Sequence, residues 1–189
     1  LCNCVGQLVS ICSNKRLEER TQRAEVLKIE YSEAYEKYLR QEGWAPQVVQ
    51  ALSDTGGRIL GHLQDPLSEG AWDRRGLVIG HVQSGKTANY TGLICKAADA
   101  GYKIIIILAG LHNNLRSQTQ IRLEEGFLGY ETSANNDVVK YIGVGELGRD
   151  LEIKPNCATN RTENGDFSAA IARNLGIKPE QRPWLFVIK

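Results

Sequence analysis

The chain has 189 residues, 42% of them hydrophobic and 24% charged, with a formal net charge of +1. That is one domain's worth of chain with an ordinary globular composition. It excludes binding to nucleic acid or membrane through bulk charge, and no apolar run approaches the length of a membrane span or follows a basic leader.

The cysteines, Cys2, Cys4, Cys12, Cys95 and Cys157, are odd in number and irregular in spacing, unlike a secreted disulfide framework. Cys2 and Cys4 lack a second Cys or His pair at matching spacing, so plain thiols are expected rather than a metal site. A reducing, cytoplasmic setting follows, in which the sequons at Asn89 and Asn160 carry no weight. The chain starts at Leu1 and contains no Met, which reads as an internal stretch of a longer protein.

Residues 1–70 read as an N-terminal helical region. From Lys15 to Glu42 the apolar positions Leu17, Ala24, Leu27, Tyr31, Ala34 and Tyr38 recur at helical spacing, and Gly43 is a natural stop. Acids and bases alternate on the other faces, as on a solvated helix rather than a nucleic-acid arm. Ala45 to Leu63 predicts a second helix interrupted at Gly56 and Gly57, and Gln64 to Arg75 a connection.

Residues 71–189 then change character. Gly76-Leu-Val-Ile79 is a short apolar, strand-like run, followed by a loop and a helix from Lys86 to Ala100. Lys103 to Ala109, with four successive isoleucines, predicts a strand buried on both faces. A helix is expected from Leu111 to Phe127, a strand over Val138 to Val144, and a loop over Asn156 to Asp166. A helix over Phe167 to Leu175 and a buried strand over Trp184 to Ile188 complete the pattern. Strands alternating with helices of this length predict an α/β fold with a parallel sheet.

Residues 80–87 read GHVQSGKT and satisfy G-x-x-x-x-G-K-[ST] at every fixed position. Gly80 and Gly85 permit a tight turn and close approach to phosphates. The N–H groups of Val82 to Lys86, with Gln83 and Ser84 between, then form a nest for anionic oxygens, and the helix N-terminus adds positive potential. Lys86, the catalytic candidate, reaches the β- and γ-phosphates, and the Thr87 hydroxyl is the candidate Mg²⁺ ligand; His81 fills a variable position. The expected ligand is Mg·ATP. A glycine-rich strand-to-helix turn with a surface lysine is the bland alternative.

Downstream, Asn113, Asn114, Arg116, Ser117 and Gln118 suit contacts to a nucleic-acid backbone, or else form a plain polar helix face. Asp137, Glu152 and Lys154 roughly fit a D…E-x-K nuclease arrangement, in which two carboxylates hold a metal, but such triples are common by chance. His62 and His112 have no Ser, Cys or acid at catalytic spacing.

From Trp72 to Arg122, through GHVQSGKTANYTGLI and LAGLHNNLRSQTQ, the sequence resembles the Z-one domain family, bacterial proteins named for a proposed endonuclease role. PWLFVIK at Pro183 to Lys189 looks like that family's next core strand. The best-matching part covers a little over a quarter of the chain. The resemblance implies a RecA-like, superfamily-two helicase-like P-loop ATPase core within multidomain restriction and defence proteins. It implies DNA as a partner through the region of Asn113, Arg116 and Gln118, and further defence subunits. It also implies a second acidic motif after a later strand, whereas only Lys189 follows Ile188 and Tyr141 to Glu146 is broken by glycines. The expectation is therefore a phosphate cradle without half of its hydrolytic site: an ATPase or endonuclease subunit at full length. A metal-dependent endonuclease in its own right and a non-hydrolysing nucleotide sensor are the alternatives.

Overall fold

A computed structural model describes residues 31–79, 85–132, 139–147, 154–168 and 182–189. Among them are four α-helices and a three-stranded parallel sheet, so the chain is α/β. The helices are α1 (Tyr31–Gln41), α2 (Pro46–His62), α3 (Lys86–Asp99) and α4 (Asn113–Leu123). The strands are β1 (Ile104–Leu108), β2 (Asn156–Cys157) and β3 (Trp184–Ile188), in the order β1-β3-β2. Ile104 lies opposite Trp184 and Leu108 opposite Ile188.

The helix expected from Lys15 is described from Tyr31 and ends as predicted, with Gly43 at φ +84°. Its most buried residues are Ser32, Tyr35 and Leu39, while Tyr31, Ala34 and Tyr38 pack at the margin. The apolar stripe is thus rotated by one position from the expected one. Asp99, at the far end of α3, accepts the Tyr31 and Ser32 N–H groups at 2.9 Å and the Ser32 hydroxyl at 2.6 Å. One carboxylate therefore accepts backbone N–H groups of another helix.

α2 runs unbroken through Gly56 and Gly57, against expectation. Gly56 faces α3, where an added Cβ would meet the Lys96 side chain at 3.3 Å, so the glycine serves close packing rather than a break.

The strand expected at Gly76 to Ile79 does not form: the segment has no regular structure and Ile79 is 86% exposed. A four-residue apolar run becomes a strand only when it pairs with an edge, and among the described residues β1 pairs with β3 alone, leaving its outer edge without a partner strand. β1 itself is buried on one face only. Ile105 and Ile107 pack towards the core, whereas Ile104, Ile106 and Leu108 stand exposed.

The expected helix from Leu111 to Phe127 is α4 continued by a π-helical turn, Glu124–Leu128, that ends at Gly129. Val138 to Val144 was expected to be a strand; Val138 lies outside the described residues, and in the rest Tyr141 makes only an isolated bridge to Tyr130, and Gly143–Leu147 is a 3₁₀ turn. The backbone passes so close there that a Cβ on Gly145 would lie 1.9 Å from the Gly129 carbonyl oxygen. Inside the expected loop, Asn156–Cys157 pairs with β3. The β3 strand matches its expectation, with Leu185 and Val187 wholly buried.

One core joins these parts: Tyr35 and Leu39 of α1, Val49 and Leu52 of α2, Ile94 and Cys95 of α3, Phe127, Leu185 and Val187. No helix among the described residues is long and apolar enough to cross a membrane.

Candidate functional site

The first five residues of the glycine-rich motif, Gly80, His81, Val82, Gln83 and Ser84, lie outside the described residues. Its last three are described. Gly85 takes φ +71° and ψ 24°, a left-handed conformation that L side chains rarely adopt, and stands as the N-cap of α3. Lys86 and Thr87 follow as the first helical residues, both exposed. Among the described residues no side chain caps this terminus, and no acid lies in its first turn. The amino end of α3 therefore keeps its partial positive charge beside a lysine and a hydroxyl. Asn89 closes the turn, its backbone N–H and its Nδ2 donating to the Gly85 carbonyl at 3.1 and 3.2 Å.

At the other end of the following strand, the β1–β3 ladder extends to Ala109, whose N–H donates to the Ile188 carbonyl at 2.9 Å. Gly110 then turns at φ +98°, and α4 begins after His112 with no side-chain cap. Of the polar candidates on α4, Asn114 and Gln118 are exposed and Asn113 is half-buried. Arg116 and Ser117 are turned inward instead. Arg116 has no exposed surface and donates through Nη2 to the Thr162 carbonyl, and the Ser117 hydroxyl donates to the Arg161 carbonyl at 2.6 Å. These two residues hold the Asn160–Gly165 turn rather than lining the outer face.

Sequence reasoning missed the polar cluster behind that turn. The buried Glu124 carboxylate accepts from Arg161 Nε at 2.7 Å, from Gln120 Nε2 at 3.3 Å and from the Thr132 hydroxyl. Arg161 also bridges to Glu131, which Lys140 pairs at 3.0 Å. The Thr159 hydroxyl donates to Gln120 Oε1 at 2.8 Å and accepts the Val187 N–H at 3.1 Å, tying the cluster to β3. Helical spacing of Gln120 and Glu124 was the only local signal; Arg161 is too far along the chain to announce itself. The Cys157 thiol lies in the same cluster, and burial pushes its pKa up.

Asp137 and Glu152 of the nuclease arrangement lie outside the described residues. Lys154, the third member, stands 4.0 Å over the Tyr130 ring, and burial, with the nearby Arg182 charge, lowers its pKa. The structure thus places its ammonium against an aromatic face. Among the described residues no group of three or more His, Cys, Asp or Glu is placed to hold a metal ion.

Comparison with protein-family models, curated proteins and solved structures gives no match to this chain.

Proposed function

We propose that this chain is the ATP-binding, P-loop part of a helicase-like ATPase that acts on DNA in association with an endonuclease in bacterial restriction or defence. The observation that carries the reading is the junction at Gly85 to Thr87. A left-handed glycine leads directly into an uncapped helix whose first two side chains are an exposed ammonium and an exposed hydroxyl. That is the chemistry which the GHVQSGKT spacing calls for: Lys86 on the β- and γ-phosphates, Thr87 on Mg²⁺, and the helix N-terminus facing the negative charge. The parallel pairing of β1 with β3 and the βα order around them support a RecA-like arrangement. The DNA-facing part of the proposal rests on Asn113, Asn114 and Gln118, since Arg116 is covered.

Lys86→Ala should remove Mg·ATP binding from the intact protein, read by nucleotide titration; an unchanged affinity overturns the assignment. Phosphate release by the full-length protein then separates an ATPase from a module that binds without turnover.

A further inference from the structure

The seam between α4 and the Asn160–Gly165 turn holds a guanidinium that its surroundings do not neutralise. Arg116 has no exposed surface, and its Nε and Nη1 find no acceptor among the described residues; Nη2 has one neutral carbonyl, that of Thr162. The neighbouring charges are matched to one another. Arg161 bridges Glu124 and Glu131, and Lys140 takes the remaining share of Glu131. No carboxylate of the buried cluster is left over for Arg116, and Glu163, on the turn itself, is exposed and accepts no bond from it.

A cation taken out of water with a single neutral partner works against folding, and a methionine of similar reach would fill the space without that penalty. A residue that opposes stability in an otherwise satisfied cluster marks a position kept for binding. We propose that Arg116 is the receptor for a small oxyanion of the phosphate class, which enters between α4 and the Asn160–Gly165 turn.

Entry takes a local opening of that turn. The turn is exposed at Thr162, Glu163 and Asn164, and it is closed on itself by Asn160 N–H to Gly165 O and Gly165 N–H to Thr162 O, at 2.9 Å each. Over Arg116 it is fastened by two bonds to neutral carbonyls, Ser117 Oγ to Arg161 and Arg116 Nη2 to Thr162. Opening these frees the guanidinium, while the Arg161 ion pairs still hold the base of the turn. An incoming oxyanion then takes the unpaired donors, and the uncapped first turn of α4 adds favourable potential. Because the side chain is wholly covered, a free ion reaches it more easily than a phosphate fixed in a nucleic-acid strand. This site is separate from Gly85 to Thr87, and its failure would leave the P-loop proposal untouched.

The test is thermal unfolding of the chain carrying Lys86→Ala, which silences the glycine-rich loop, with rising inorganic phosphate. Tm should climb by ~3 °C at tenfold over half-saturation, and not at all when Arg116→Met is added. Without phosphate, Arg116→Met should unfold at a higher temperature than its parent. A lower Tm for Arg116→Met, or its failure to fold, makes the residue structural and overturns the proposal; so does an equal phosphate response with and without Arg116. Arg116→Lys, which keeps the charge and loses the planar fork, should need about tenfold more phosphate. Stabilisation by a single-stranded oligonucleotide but not by free phosphate overturns the small-ion assignment.

Discussion

Glu124 illustrates how much one side chain organises. Its carboxylate is wholly buried where α4 passes into the π-helical turn, and it gathers Arg161, Thr132 and Gln120. Removing one member of a buried pair leaves the other uncompensated, so Glu124→Ala should cost ~3 kcal/mol in urea unfolding. Arg161 keeps Glu131 and some solvent contact, and those hold the loss at the lower end of the usual range. Glu131 sets a pH dependence. The hydrogen bond from Lys140, ahead of the Arg161 charge, holds its pKa below the ordinary carboxylate value. A group with a lowered folded pKa contributes stability that is present above its unfolded pKa and lost as pH falls through the folded one. Tm should therefore drop on acidification below about pH 4.5, and Glu131→Gln should flatten that acid limb. An identical acid profile for the variant would dismiss the linkage. Residue roles of this kind were only half legible in the sequence. Asn114 and Gln118 were marked as outward-facing and are, whereas Arg116 was grouped with them although the Thr162 carbonyl draws it inside.

Helices were the more readable elements, because a period of 3.6 survives small errors of phase. α3 and α4 fall where the pattern put them, and so does the described part of α1 from Tyr31, even though its buried face centres on Tyr35 rather than on its neighbours. The strand failures share a cause: pairing depends on backbone meeting backbone far away in sequence. Val138 to Val144 looks like a strand until Gly145 is seen pressed against Gly129. Gly145→Ala should accordingly destabilise the fold by ~3 kcal/mol in guanidinium unfolding, through overpacking against a carbonyl that has nowhere to go. α2 gives the opposite case within one dipeptide. Nothing lies within 4 Å of a Cβ on Gly57, whereas one on Gly56 presses on Lys96. Gly57→Ala should stabilise by ~0.8 kcal/mol from helix propensity alone, and Gly56→Ala should gain less. Equal gains at both positions would mean that the α2–α3 contact yields freely.

For the molecule as a whole, the class was legible and the layering was not. Alternating apolar runs announced an α/β chain with parallel pairing, and β1 beside β3 bears that out. Four isoleucines in a row gave no hint that one face of β1 stays open, since burial depends on neighbours and not on the run itself. Ile106, near the middle of that face, should accept Thr with a stability change of no more than ~0.5 kcal/mol and with lower binding of a hydrophobic dye. A large loss of stability would place Ile106 in the core. The register has a last consequence, for the order of events during synthesis. Ile104 pairs with Trp184, about eighty residues later, so β1 leaves the ribosome long before its mate exists. At typical elongation rates that is several seconds in which an apolar, β-branched run has no β3 to join. During that interval the isoleucine run is open to non-native pairing until Trp184 to Ile188 arrives.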